Sequence, residues 1–149
     1  SAQYGMQSIL RIHGASDLTN DLFHNYRITP RKSLTLVPPQ HLDYSNTLAF
    51  ISGYIDGDGC ISVTHQGYPR LFIRGTQHVL AWIKSVFDAI SKDVATAYPV
   101  AHVKQFHNDG RGFTYTLTGL RFARVVQNIF GLPIPLMRRK WDKIRPFIT

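Results

Sequence analysis

The sequence predicts an α+β domain, with elements in the order helix, strand, strand, helix, strand, strand, helix, helix across residues 46–144. Three observations carry this. Apolar residues recur at helical spacing at Leu48, Ile51 and Ile55, and again at Val79, Leu80, Ile83, Val86, Phe87 and Ile90. Residues 60–65 and 113–118 instead alternate apolar and polar side chains, the pattern of a strand with one face buried. Turn-forming clusters, Gln66-Gly67-Tyr68-Pro69 and Asn108-Asp109-Gly110-Arg111-Gly112, sit where each pair of strands must reverse.

Taken in order, residues 7–12 read as a short strand. Leu18, Leu22 and Phe23 then follow Ser16 at helical spacing, with Ser16 as the cap. Pro38-Pro39 breaks the chain, and residues 37–45 read as a linker. The next helix starts at Ser45 or Asn46. Residues 60–65 form a strand and 70–74 its returning partner. The helix over Val79 to Ile90 comes next, then a second hairpin from residues 98–106 and 113–118. Leu120, Ala123, Val126, Ile129 and Phe130 mark another helix, interrupted by Pro133 and Pro135. Arg138, Arg139, Lys140, Lys143 and Arg145 give a basic final helix.

Composition narrows the function classes. The 149 residues suffice for one domain or two small ones, and a hydrophobic content of 44% supports a real core. Lys and Arg number 17 against 9 Asp and Glu, giving a net charge of +8, which favours a polyanion: nucleic acid first, an anionic membrane surface second. No apolar run is long enough to span a bilayer, and no signal peptide stands at the start, so an intracellular, unsecreted protein is expected. The lone cysteine, Cys60, excludes an internal disulfide and a cysteine-based zinc site. The seven histidines show no zinc-type pairing.

The most informative stretch is residues 50–61. Asp56 and Asp58 fall where the helix through Leu48 and Ile55 ends. The helix dipole is negative there and disfavours carboxylates by up to about 1 kcal/mol, unless a metal or a basic partner meets them. Local signals leave a hairpin open, because Asp-Gly between apolar runs is a favoured β-turn. An EF-hand loop is excluded: its pattern requires an acid or amide two residues after Asp58, where the chain has Cys60. Residues 50–61 resemble the signature of the LAGLIDADG homing endonucleases, with 51–59 on the motif itself. Gly53, Ile55, Asp56, Asp58 and Gly59 match directly; Ser52, Tyr54 and Gly57 are substitutions the family accepts.

That resemblance implies an αββαββα domain, a saddle-shaped antiparallel sheet with its helices on one face, laid into the major groove of DNA. It implies a site-specific double-strand endonuclease using Mg2+ (or Mn2+), with two motif helices side by side and one acid from each at a two-fold interface. Asp58 is then the metal-binding acid, with the Gly57 carbonyl as a further ligand. Ser52, Gly53 and Asp56 fall at the helix interface, Asp56 as a structural residue bonding near the helix end. Gln77 matches a polar position that orders water beside the scissile phosphate, or is an ordinary residue opening a helix. Lys140 matches the family's pocket cation, although Arg138 or Arg139 takes that place if one gap moves. Ser62, Thr64, Arg70, Arg74, His102, Lys104, Gln105, Thr114 and Thr116 are the candidates for base readout. Arg111, His107 and Arg138 are candidates for phosphate.

An internal repeat adds to this. Ile12-His13-Gly14 corresponds to Leu117-Thr118-Gly119, an offset of 105 (118 − 13). Each is followed by an apolar-spaced helix, a proline and a basic cluster, Arg31-Lys32 in the first copy. Residues 1–36 therefore look like the end of a preceding repeat or are an unrelated extension, 37–45 the linker, and 46–149 the complete domain. With one motif per chain, the second acid comes from an identical chain or from a partner supplying another LAGLIDADG helix. The alternative function is a LAGLIDADG-derived nucleic-acid-binding protein without cleavage, an RNA-splicing maturase or a regulator. Intron homing and a location with DNA, in the nucleoid or an organelle matrix, belong to the same implication.

Overall fold

The computed structural model describes residues 11–29, 35–94 and 112–148, and the backbone of 104–105. Helix α1 (Ser16–Tyr26) precedes the long α2 (Tyr44–Asp58). Strands β1 (Gly59–Val63) and β2 (Pro69–Gly75) follow, then α3 (Gln77–Ile90), β3 (Lys104–Gln105), β4 (Phe113–Thr118) and α4 (Leu120–Phe130). A single turn, α5 (Arg138–Trp141), runs into a 3-10 helix over Asp142–Phe147. The strands form one antiparallel sheet in the order β1-β2-β4-β3. The α+β class and the element order expected from the sequence are those observed, and residues 50–58 are helix, not hairpin.

The sheet has two chemically different faces. Ile61, Leu71, Ile73, Tyr115 and Leu117 point inward and are buried. Against them pack Leu48, Ile51 and Ile55 of α2, the Val79, Leu80, Ile83 and Phe87 face of α3, and Phe122, Val125, Val126 and Ile129 of α4. Each helix thus buries one apolar stripe on one side of the sheet. Trp141 and Ile144 of the C-terminal segment complete the core. Burial raises the Tyr115 phenol strongly, with the charge of Asp88 adding to it.

Several boundaries differ from expectation. Ser16 is the first residue of α1 and not its cap; Ala15 holds the cap position, with no side-chain cap bond. Helix α2 starts at Tyr44, because Asp43 is its cap: the carboxylate accepts from Asn46 N at 2.7 Å. An acid is favoured there by both capping and the positive end of the dipole. Residue Thr64 lies beyond β1, where its hydroxyl accepts from Tyr68 N at 3.0 Å and closes the turn. The basic tail holds only one α-helical turn, since the ring of Pro146 clashes with the carbonyl four residues back, at Asp142, where the 3-10 helix begins.

The N-terminal segment joins the core at Leu36 and, partly buried, at Ile28. Leu36 is buried, and its carbonyl accepts from Thr76 Oγ1 at 2.6 Å. Tyr26 stacks on Phe50, which meets Trp82 edge-on. Helix α1 itself buries no residue and leaves Leu18 and Phe23 44% and 43% exposed. Like α4 it has 11 residues and follows a glycine at positive φ: Gly14 at 68°, Gly119 at 75°. Most of the expected strand at 7–12, the Arg31-Lys32 cluster, and the second hairpin apart from residues 104–105 and 112–118 lie outside the described residues.

Candidate acidic site and nucleic-acid interface

The C-terminal end of α2 organises the site. Asp58 is its last residue and is exposed. Asp56, two residues earlier, is half-buried and bound to the C-terminal segment. Its Oδ1 accepts from the indole Nε1 of Trp141 at 2.6 Å, and its Oδ2 from Met137 N at 3.0 Å. Asp56 therefore orders the start of α5 and satisfies a buried indole, a structural part played against the C-terminal segment. The positive group that meets the helix end is Lys140. Its ammonium donates to the carbonyls of Ile55, Asp56 and Gly59 at 2.9, 2.7 and 2.7 Å. The Ile55 carbonyl also accepts from Gly59 N, and Gly59 opens β1, so the ammonium ties the last turn of α2 to the first residue of the strand, at the negative pole of the dipole, and caps α2 there. Arg138 and Arg139 are exposed.

Beside Asp58 stands a junction that the sequence did not reveal. Tyr54, one turn before Asp58, donates its hydroxyl to the Arg74 carbonyl at 3.0 Å. Burial, and then the charge of Asp58, pushes its pKa up to about 12, so the phenol stays a donor at neutral pH. The next residue, Gly75, has no room for a side chain: a Cβ there would lie 2.3 Å from the Tyr54 hydroxyl. Thr76 then caps α3, accepting from Val79 N at 3.3 Å, and Gln77 opens the helix, exposed. Tyr54 thus fixes where the strand delivers Gln77 relative to Asp58. Gly75→Ala is expected to cost about 1–3 kcal/mol by overpacking. In a Tyr54→Phe background, which removes the clashing oxygen, the cost of the alanine should fall by half or more, a coupling that paired melting curves measure.

Opposite the core, the sheet presents Cys60, Ser62, Arg70, Phe72, Arg74, Thr114, Thr116 and Thr118, all exposed or half-buried. Five of the predicted readout residues, Ser62, Arg70, Arg74, Thr114 and Thr116, therefore share one face. Arg70 Nε donates to Ser62 Oγ at 3.3 Å, and the Arg74 guanidinium lies 5.9 Å from the centre of the Phe72 ring. Thr64 sits off this face, in the turn. Lys104 and Gln105 pair with Thr114 and Phe113 through the backbone; His102, His107 and Arg111 lie outside the described residues. Phe72 escaped the sequence reading because an outward phenylalanine in an apolar strand looks like core. Its even spacing from Arg70 and Arg74 was the signal.

The open side of α2 carries Ser45, Ala49, Gly53 and Gly57 at steps of four, and a Cβ built on Gly53 or Gly57 meets nothing within 4 Å. Ser52 does not belong to this side. It is fully buried, and its hydroxyl has no partner among the described residues. Its position, one residue past Ile51 and three before Ile55, places it on the core stripe. Among the described residues no group of three or more His, Cys, Asp or Glu side chains could hold a metal, and no helix is long and apolar enough to cross a membrane.

No protein-family model matches the chain, and no curated protein sequence does. Among solved structures, those it is similar to include homing endonucleases. It is similar to the homing endonuclease I-CvuI, solved in complex with its target in the presence of Ca, at 16% identity and a TM-score of 0.48 over 70% of this chain. It spans 64% of the I-CvuI chain. It is similar to the homing endonuclease I-TnaI at 17% identity and a TM-score of 0.40, over 68% of this chain and 70% of that one. The LAGLIDADG meganuclease I-AabMI, bound to uncleaved DNA, matches at 19% identity and a TM-score of 0.38, over 59% of this chain and 30% of that one.

Proposed function

We propose that this chain is a LAGLIDADG endonuclease that cuts both strands of a DNA site. One juxtaposition supports the reading: an exposed carboxylate, Asp58, ends a helix whose open side is bare of large side chains, next to a sheet whose open face is polar and basic. The chain's excess of cations over anions adds long-range attraction to DNA. Arg138 and Arg139 address phosphates, and the outward sheet residues address base edges in the major groove.

One chain supplies one Asp58. Two chains packed along Ser45, Ala49, Gly53 and Gly57 bring two such carboxylates together. Their oxygens, with the Gly57 carbonyls, fit a hard cation such as Mg2+ or Mn2+, which keeps most of its waters and needs only one or two carboxylates. When bound, the metal activates water and stabilises the leaving oxygen. The chain's own residues do the rest. Lys140 and Asp56 hold the helix end at which Asp58 is displayed, Tyr54 holds the strand end that presents Gln77, and Gln77 orders water beside the phosphate. The protein acts inside the cell, with DNA.

The exposed face of Gly53 gives a prediction about assembly. Gly53→Leu is expected to leave the chain folded, since the position is open and leucine is the better helix former. It should convert a dimer, weighed by light scattering, into a monomer. If the wild-type chain is already monomeric, a second polypeptide carries the mating helix. The α1 segment fits that case: like α4 it has 11 residues and follows a glycine at positive φ, and among the described residues it leaves Leu18 and Phe23 exposed.

Purified protein with magnesium is expected to cut a duplex library carrying its native locus, and to stop in chelator. DNA that is bound but left intact under both conditions would overturn the nuclease reading. The second reading, a non-cleaving nucleic-acid-binding derivative, is favoured by one observation: the Lys140 ammonium is already engaged by three carbonyls.

A further inference from the structure

The outward face of the sheet is banded, and the middle band is apolar. The ladder sets Cys60 opposite Phe72, and Phe72 opposite Thr116. On one side of this row lies Ser62–Arg70–Thr118, and on the other Arg74–Thr114. Phe72 is the one large apolar side chain among the described outward positions of the sheet, and it is not part of the core. The thiol of Cys60 is exposed beside it, and Thr116 adds a methyl group.

A polar, basic surface with an apolar centre has one natural counterpart in duplex DNA. Each base pair offers donors and acceptors in the major groove, but the only apolar group there is the C5-methyl of thymine. Stacking on Phe72 is closed to a paired base. We propose that the row Cys60–Phe72–Thr116 reads a thymine methyl group, while Arg70 and Arg74 address the base pairs to either side. This rests on the reading of the sheet as a major-groove surface, and it names what that surface selects: sites with thymine at one or two fixed positions, flanked by hydrogen-bonding pairs.

The test begins with selection of retained duplexes from a randomised library at fixed salt. Each thymine of the selected site is then replaced singly by uracil, which keeps every hydrogen bond and loses only the methyl. Wild-type protein is expected to bind about fourfold more weakly at one or two positions, the factor that burial of one methyl-sized group contributes. At those positions Thr116→Ser and Phe72→Leu should bring the thymine-to-uracil ratio close to one. Both residues face away from the core, and a melting curve for each variant confirms that it folds. Equal binding of uracil and thymine everywhere, by a protein that still selects a duplex, overturns the inference and leaves the DNA reading standing. Failure to retain any duplex, or preference for a single strand, overturns the major-groove reading and the inference with it.

Discussion

Asp58→Asn is expected to reduce cleavage by a factor of at least about a thousand while DNA binding stays the same or tightens. A bound divalent cation contributes several kcal/mol of charge stabilisation in the transition state, and each 1.4 kcal/mol is tenfold in rate. On the proposed reading, an amide in place of the carboxylate removes the charge that would hold the cation. Binding responds in the opposite sense, because Asp58 is exposed at the end of α2 and repels phosphates. Folding should be nearly untouched, for the same reason of exposure. A second readout checks that the substitution acts where the geometry says. Asp58 is the lesser cause, after burial, of the Tyr54 pKa of about 12. Without that negative charge the tyrosinate is less disfavoured, so the Tyr54 titration should move down, by less than burial alone keeps it up. Cleavage within tenfold of wild type would mean that Asp58 is not the acid that holds the metal.

What the sequence made legible was whatever a local period or a short motif encodes. The face of α2 through Leu48, Ile51 and Ile55 is the buried one, and the alternation in 60–62 and 114–118 does separate core from open face, while Val63, at the strand end, is exposed. Contacts between distant residues stayed hidden. Nothing near Asp56 announces Trp141, and nothing near Tyr54 announces that Gly75 must lack a side chain. The small size of Ser52 suggests a helix interface, but its angle decides: at about 100° per residue it falls beside Ile51 and Ile55, while Gly53 falls on the open side. The choice among Arg138, Arg139 and Lys140 depended on a gap that only packing decides. The anchoring of Trp141 in the core turns the residue before it toward α2 and leaves the two arginines in solvent.

Lys140→Met separates two roles that the sequence could not. As a cap, Lys140 gives hydrogen bonds to three carbonyls from a part-buried charge. Bonds to charged groups contribute about 1.5–3 kcal/mol each, but water can return to some of the vacated carbonyls, so the net loss is expected near 3 kcal/mol. For a chain of this size that lowers the melting temperature by roughly 10 °C. Arginine is expected to restore only part of it, since a planar fork cannot converge on three acceptors as an ammonium does. Exposed Arg138 gives the contrast: Arg138→Met should melt like wild type and weaken DNA binding, more so at low salt. If Lys140→Met melts like wild type but no longer cuts, its charge acts on the phosphate, and the three-carbonyl contact is a resting position. If it loses stability, and the molecules still folded below the transition cut at the wild-type rate, its part in the reaction is to hold the helix that displays Asp58.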